Sequence, residues 1–197
     1  RLLPELLRAF PEVAQAHGIH PDQIVEVILT AATELEFWVK TPNEKAEIEQ
    51  LTASQVLQEQ YWKRTKGVVR TALEHSLMLL EQYGLEPEMG HKEVGGIKAQ
   101  IGDGGGLTHI MEQLEIDWRF SNALQAADNE LLARIIIKET FRRHGLEVTF
   151  MAKPMEGVAG NGEHTHVGIS LRLKDGSIRN IFAPLDANRE FLSPIGW

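Results

Sequence analysis

The 197 residues include no cysteine, which removes disulfides, thiolate metal sites and a cysteine nucleophile together. That absence suits a reducing compartment and sets the expectation of a cytoplasmic protein. Positive charge is also short, with 20 Lys and Arg against 28 Asp and Glu and a formal net charge of -8. A chain that tracks a phosphate backbone carries the opposite balance, so nucleic acid is excluded as the main partner. Long apolar runs are missing too. Stretches such as Val27 to Leu29 and Ile135 to Ile137 fall far short of the ~20 residues that a membrane helix needs, and no membrane partner is expected. The opening Arg1-Leu2-Leu3-Pro4-Glu5 lacks the order of a secretory leader. With no initiator Met and a stop at Trp197, the chain reads as a piece of a longer protein.

What is present is ordinary globular composition, 43% hydrophobic and 24% charged, enough to bury a core. Residues 4–17 have helical spacing and end at Gly18, and His20-Pro21-Asp22 reads as a turn. Val25 to Lys40 is rich in β-branched and aromatic residues, which predicts a strand at least from Ala32. Residues 52–83 carry apolar side chains at helical intervals and close at Gly84, with Tyr61-Trp62 read as packing. Residues 85–102 read as two strands around a turn at Gly95-Gly96, and Gly104-Gly105-Gly106 as a flexible loop. A helix is predicted over 121–144, capped by Ser121 or Asn122 and stopped by Gly145. A strand follows over 146–152. Two alternating runs, 165–173 and 177–183, flank Lys174-Asp175-Gly176, a hairpin signal. The class is α+β, a mainly antiparallel sheet with flanking helices, with residues 1–24 as an N-terminal helix and linker before a domain over 25–197.

Three pairs of metal-ligand residue types stand at i, i+2 within predicted strands: Glu34 and Glu36, His91 and Glu93, His164 and His166. On a strand each pair projects from one face. Carboxylates gathered on one face repel unless cations or protons neutralise them. Oxygen ligands with an imidazole favour Mg²⁺ or Mn²⁺, and two such ions suit a nucleoside triphosphate. On spacing alone the alternative stays open that Glu34 and Glu36 line a wet strand face and that His91 and Glu93 are an exposed pair beside a turn. Gly102 to Gly106 lacks the Lys-Ser/Thr of a P-loop. Arg142-Arg143-His144 suits a helix C-terminus, and Ser170 has no base partner at motif spacing.

Thr33-Glu34-Leu35-Glu36-Phe37, then Glu88-Met89-Gly90-His91-Lys92-Glu93-Val94, then Phe150-Met151-Ala152-Lys153-Pro154 before Gly160-Asn161-Gly162-Glu163-His164-Thr165-His166 resemble, in order and separation, the glutamine synthetase catalytic domain. Ala127-Asp128 fits the same pattern, and Lys-Pro with a His eleven residues beyond the Lys is the most specific part. The resemblance covers roughly residues 25–190. It makes 25–197 part of a catalytic domain, without the family's N-terminal β-grasp domain and later C-terminal residues. It implies an ATP-dependent carboxylate–amine ligase that forms an amide through an acyl phosphate, with Mg²⁺ or Mn²⁺ and with ATP, glutamate and ammonia or related substrates. It also implies a homo-oligomeric ring.

By resemblance, Glu34 and His164 are ligands of the ion that bridges the nucleotide phosphates. Glu36 and Glu93 are ligands of the ion nearer the amino acid and the catalytic carboxylates. His166 lies near the phosphates, Gly160 presents backbone to the amino acid, and Lys153 supports the site. The family's further metal-binding Glu, in a Gly-Gln-x-Glu string seven residues after Glu93, aligns here with Gln100, and Lys98 stands nearby. The family's glutamate-holding Asn aligns with Ala159, and a Ser with Gly168. These departures sustain an alternative: a non-catalytic relative that binds nucleotide or partners. A guanidino-kinase-type phosphotransferase shares the idea of ATP on a sheet but lacks the Lys-Pro to His motif.

Overall fold

A computed structural model describes residues 2–45 and 65–196. In chain order the elements begin with α1 (Leu2–Ala9), α2 (Pro11–Ala16), β1 (Ile24–Pro42), α3 (Gly67–Gln82), β2 (Pro87–Ile101) and β3 (Leu107–Trp118). They continue with β4 (Ser121–Asn122), α4 (Ala123–Arg143), β5 (Glu147–Thr149), β6 (Glu163–Leu173) and β7 (Ile178–Asn180). Among the described residues the β1–β3, β1–β4, β1–β5, β2–β3 and β6–β7 pairings are antiparallel, so the structure is α+β as the sequence indicates. Among the described residues no helix is long and apolar enough to cross a membrane. The chain forms two compact units, one of Ala32–Phe120 and Leu124–Thr165, the other of Arg1–Ala31, Ser121–Ala123 and His166–Trp197.

The larger unit is built on strands in the order β2-β3-β1, with β5 on the far edge of β1. Alternation decides which residues enter the core. Leu35, Phe37 and Val39 of β1 and Leu114, Ile116 and Trp118 of β3 point to one face and pack with Leu73 and Leu80 of α3 and Ile137 and Phe141 of α4. Phe37 meets Phe141 edge-on, with ring centroids 5.5 Å apart. Burying a side chain of this size stabilises the fold by about 1.5–3 kcal/mol. The residues in between, Glu34, Glu36, Gln113, Glu115 and Asp117, are turned to the opposite face by the same alternation.

The smaller unit has its own core of Leu7, Ala14, Ile19, Leu171, Leu173 and Ile181. Its β6–β7 hairpin, with Leu171 opposite Arg179, turns at Gly176, whose φ of 85° suits glycine. Gly168 belongs to this unit. A Cβ there would come within 2.5 Å of Thr30 Oγ1, so a larger residue at this position would require the Thr30 side chain to shift.

Several expectations are corrected. The helix over 4–17 is two helices, because Pro11 has no N–H to give and holds Phe10 outside the helical region, at φ -124° and ψ 71°. The two strands expected over residues 85–102 are one strand, Pro87–Ile101, and Gly95-Gly96 forms a bulge inside it. Lys92 faces Leu114 and Ile97 faces Glu112, so several residues of β2 oppose the single Gln113. The turn of this hairpin lies further on, at Gly102 to Gly106, closed by Gly102 N–H donating to Gly106 O at 2.9 Å. β3 is a further strand, beyond those predicted from the sequence. α3 accounts for the described part of the helix expected over 52–83, while residues 52–64, with Tyr61-Trp62, lie outside the described residues.

Phe37→Ala is expected to lower unfolding free energy by about 3–5 kcal/mol through the cavity it leaves. Leu131→Ala, at a side chain 60% exposed, should change it by no more than about 0.5 kcal/mol. Denaturant titration of both variants checks this.

Candidate functional site

Strand register assembles the site. Glu36 on β1 is the cross-strand partner of Glu115 on β3, and Glu115 is in turn the partner of His91 on β2. Residues directly opposite each other share a face with Cβ atoms roughly 4.5–5.5 Å apart. The three side chains therefore form a row across the sheet, backed by the apolar face of the same strands. Two overlapping groups result. Ligand atoms of Glu34, Glu115 and His164 lie within 4.8 Å of one another, as do those of His91, Glu93 and Glu115. His164 Nδ1 is 3.3 Å from Glu34 Oε2, and His91 Nε2 is 3.1 Å from Glu115 Oε1.

Charge at this face is out of balance. Glu36, Glu93 and Glu115 are all buried. Burial pushes Glu93 above the ordinary carboxylate range, against the pull of its bond from Val94 N–H at 2.6 Å, and burial also raises Asp117. His91 is raised to about 9, first by its hydrogen bond to Glu115 and further by the Lys92 carbonyl. With Nδ1 2.9 Å from Lys92 O and Nε2 facing Glu115, both ring nitrogens have acceptors, which suits an imidazolium. Several buried carboxylates against one imidazolium leave the pocket short of positive charge. Carboxylate oxygens and imidazole nitrogens at this spacing fit Mg²⁺ or Mn²⁺, which favour oxygen-rich ligand sets.

The loop before β6 is bonded to this face through Glu36. Glu36 N–H donates to Gly162 O at 3.2 Å, and Gly162 N–H donates to Glu36 Oε2 at 2.9 Å. Asn161 Nδ2 holds the Thr149 and Met151 carbonyls at 3.1 and 2.9 Å, and Trp38 Nε1 donates to Ala159 O at 3.2 Å. Lys153 Nζ donates to Val158 O across the base of the loop. Two glycines are required by close approach. A Cβ at Gly160 would lie 2.4 Å from Ala152 O, and one at Gly162 would lie 2.8 Å from Glu36 Oε1.

The structure thus gathers Glu34, His91, Glu93 and His164 around Glu115, while Glu36 is outside both groups and stands beside them as the cross-strand partner of Glu115, with Gly160 and Lys153 in the adjoining loop. His166 is exposed and belongs to the smaller unit. Gln100 is not part of the cluster. It pairs with His109 further along the hairpin and donates to Met155 Sδ at 3.5 Å. Glu115, not Gln100, is the carboxylate in both groups, and Gln113-Leu114-Glu115 has the form Gln-x-Glu. The hairpin over Ile97 to Leu107 separates that string from Glu93, so a fixed spacing of seven residues missed it. Sequence reading also missed Asp117 and the buried ion pair of Lys92 Nζ with Glu112 Oε2, at 3.3 Å.

A carboxylate whose folded pKa is raised costs stability wherever it is ionised, at pH above that raised value. Cation-free protein is therefore expected to melt at a higher temperature once Mn²⁺ or Mg²⁺ is added. Glu93→Gln should melt higher than the parent without metal at neutral pH and gain less from it. Scanning calorimetry with and without chelator checks both, and a variant that melts lower with an undiminished metal response would contradict this.

Residues 7–196 match the family described as glutamine synthetase, catalytic domain. Glutamine synthetase of Pyrococcus woesei is 42% identical over 103 residues, covering 52% of this chain and 19% of that protein. Glutamine synthetase of Pyrococcus horikoshii is 38% identical over 119 residues, covering 60% and 21%. A solved structure titled as a GmaS/ADP complex superposes with a TM-score of 0.59 at 24% identity, over 95% of this chain and 37% of that one, a likeness of fold. The chain spans about a fifth of the length of the curated relatives it matches. With a family match that runs almost its whole length, this chain belongs to the glutamine synthetase family as a portion of the catalytic domain.

Proposed function

We propose that the protein is an ATP-dependent carboxylate–amine ligase of the glutamine synthetase type. The observation that carries the reading is the row Glu36–Glu115–His91 with Glu34, Glu93 and His164 beside it on one sheet face. Glu34 and His164 would hold one divalent ion, which would offset the negative charge of the nucleotide phosphates. Glu36, Glu93 and Glu115 would hold the ion nearer the amino acid. Bound there, Mg²⁺ or Mn²⁺ neutralises the triphosphate and screens the approach of a second anion, a Coulomb cost that grows in a partly dry site.

The reaction this supports has two displacements. The side-chain carboxylate of glutamate or a related acid attacks the γ-phosphorus of ATP, the bond to the β-phosphate oxygen breaks, and ADP leaves with an acyl phosphate formed. The amine then attacks the acyl carbon, phosphate departs, and the nitrogen loses a proton to give the amide. Gly160 presents backbone to the amino acid and Lys153 keeps its loop closed, while His166 serves the phosphates. The complete protein is read as a homo-oligomeric ring in the cytoplasm, with small molecules rather than nucleic acid or membrane as partners.

Ala159, at the position of the family's glutamate-holding Asn, favours a second reading, in which glutamate is not the acid used or turnover is lost. Glu115 supplies the carboxylate whose apparent replacement by Gln100 had pointed to lost catalysis, which weakens the non-catalytic form of that reading.

The test is phosphate release by the full-length protein with ATP and Mn²⁺ or Mg²⁺ across a panel of carboxylates and amines. Release that needs one of each is expected, and Glu36→Ala or His164→Ala should reduce it by about two orders of magnitude or more. Variants that turn over at the parent rate would remove these residues from the site. Glutamine formation restored by Ala159→Asn would mark a decayed glutamate site.

A further inference from the structure

We infer that Gln113 is the positioning residue that joins the cation pocket to the Gly160–Gly162 loop, an inference that rests on the cation reading above. Gln113 is 0% exposed, shut off from bulk solvent, and its carboxamide serves three segments at once. Nε2 lies 2.9 Å from Glu36 Oε2, 2.8 Å from Gly160 O and 3.2 Å from Asn161 Oδ1. Oε1 accepts from Gly95 N–H at 2.8 Å. Two N–H groups facing three oxygens give the two shorter contacts a proton each, with the Asn161 contact shared.

This pattern fixes the orientation of the amide and the type of residue. Turning the amide over would set Oε1 against three oxygens and Nε2 against the Gly95 N–H. A glutamate would bring a second carboxylate against Glu36, and an asparagine is one methylene too short to reach both sides. The bulge is fitted to the same side chain, since a Cβ at Gly95 would lie 2.1 Å from Gln113 Oε1.

The consequence for Glu36 is geometric. Its Oε2 already accepts from Gln113 Nε2 and from Gly162 N–H, both at 2.9 Å. The carboxylate is therefore held by Oε2, which fixes the direction in which Oε1 is presented beside Glu115. Because the same Nε2 grips the Gly160 carbonyl, a cation that orders Glu36 also orders the loop. The coupling is reciprocal by linkage. Gln113 touches neither ion nor substrate in this scheme and acts through Glu36 and Gly160.

The test uses the full-length protein, with Gln113→Met, which keeps the volume and drops every donor, and Gln113→Glu, which keeps the acceptor for Gly95. Free Mn²⁺ is measured by electron paramagnetic resonance, and amide hydrogen exchange is followed over residues 159–162 well below the melting temperature. In Gln113→Met, Mn²⁺ affinity should fall about 10- to 100-fold. Loop exchange should quicken about tenfold or more, while the Phe37 and Leu114 amides keep parent rates. Gln113→Glu should loosen the loop similarly but lose less Mn²⁺ affinity, because it adds negative charge. Parent affinity and parent loop exchange, with only a lower melting temperature, would overturn the inference and leave Gln113 as packing. Should both variants fail to fold, the unmodified protein decides: saturating Mn²⁺ slows exchange over 159–162, and an unchanged rate overturns the coupling. If the parent binds no Mn²⁺, the cation reading fails, whereas metal-free loop exchange in Gln113→Met still tests the grip of Gln113.

Discussion

Glu36 and Glu115 stand directly opposite each other on adjacent antiparallel strands, both buried, with Glu93 buried alongside. Like charges at such positions work against sheet pairing, and burial adds a desolvation cost for each. The strands carry this arrangement because their other faces are committed to the core. Slipping the β1–β3 register by one residue would turn Leu35, Phe37, Leu114 and Ile116 away from the helices. Packing thus sets the register, and the register sets the charge. His91 relieves part of the imbalance by holding its proton beside Glu115. A divalent cation bound at this face, as the proposed function has it, would relieve the rest.

How much of this was legible in the sequence follows from the range of each interaction. The i, i+2 pairs expose a strand face because alternation is local, and Lys153-Pro154 with His164 marks the family loop by fixed spacing. The hairpin at Asp175-Gly176 is equally local. Pro11 breaks the N-terminal helix for a reason also readable in the sequence, although the apolar spacing around it conceals the break. β3 is different. Its residues from Ile110 to Ile116 are buried on both faces, with Glu112, Gln113 and Glu115 inside, so hydrophobicity alone does not mark it. Only the partners on β1 and β2 explain why charged residues are buried there. Glu115 was lost for the same reason: its place beside His91 is set by cross-strand register, and the hairpin between them hides the relation from any fixed spacing.

The polar parts of the site are also mutually dependent. Gly95, Gly160 and Gly162 each stand where a Cβ would strike a neighbour, and each neighbour belongs to the site or its loop. Gly160 meets the Ala152 carbonyl and Gly162 meets Glu36, so the loop can approach only as bare backbone. Gly168 repeats the pattern in the smaller unit against Thr30. Ala159 is otherwise: its carbonyl is held by Trp38, a contact that any residue there would provide, and the choice of Ala has no structural cause on this face. Substrate preference is where that difference would be felt.

The central claim is that the row Glu36–Glu115–His91 and its flanking ligands form a divalent cation centre. The most direct measurement is anomalous diffraction at the manganese edge from crystals of the full-length protein grown with Mn²⁺. The expected result is anomalous density touching Glu115 together with Glu36 and Glu93, or with Glu34 and His164. Crystals in which Mn²⁺ is bound elsewhere while this face carries no anomalous density would contradict it.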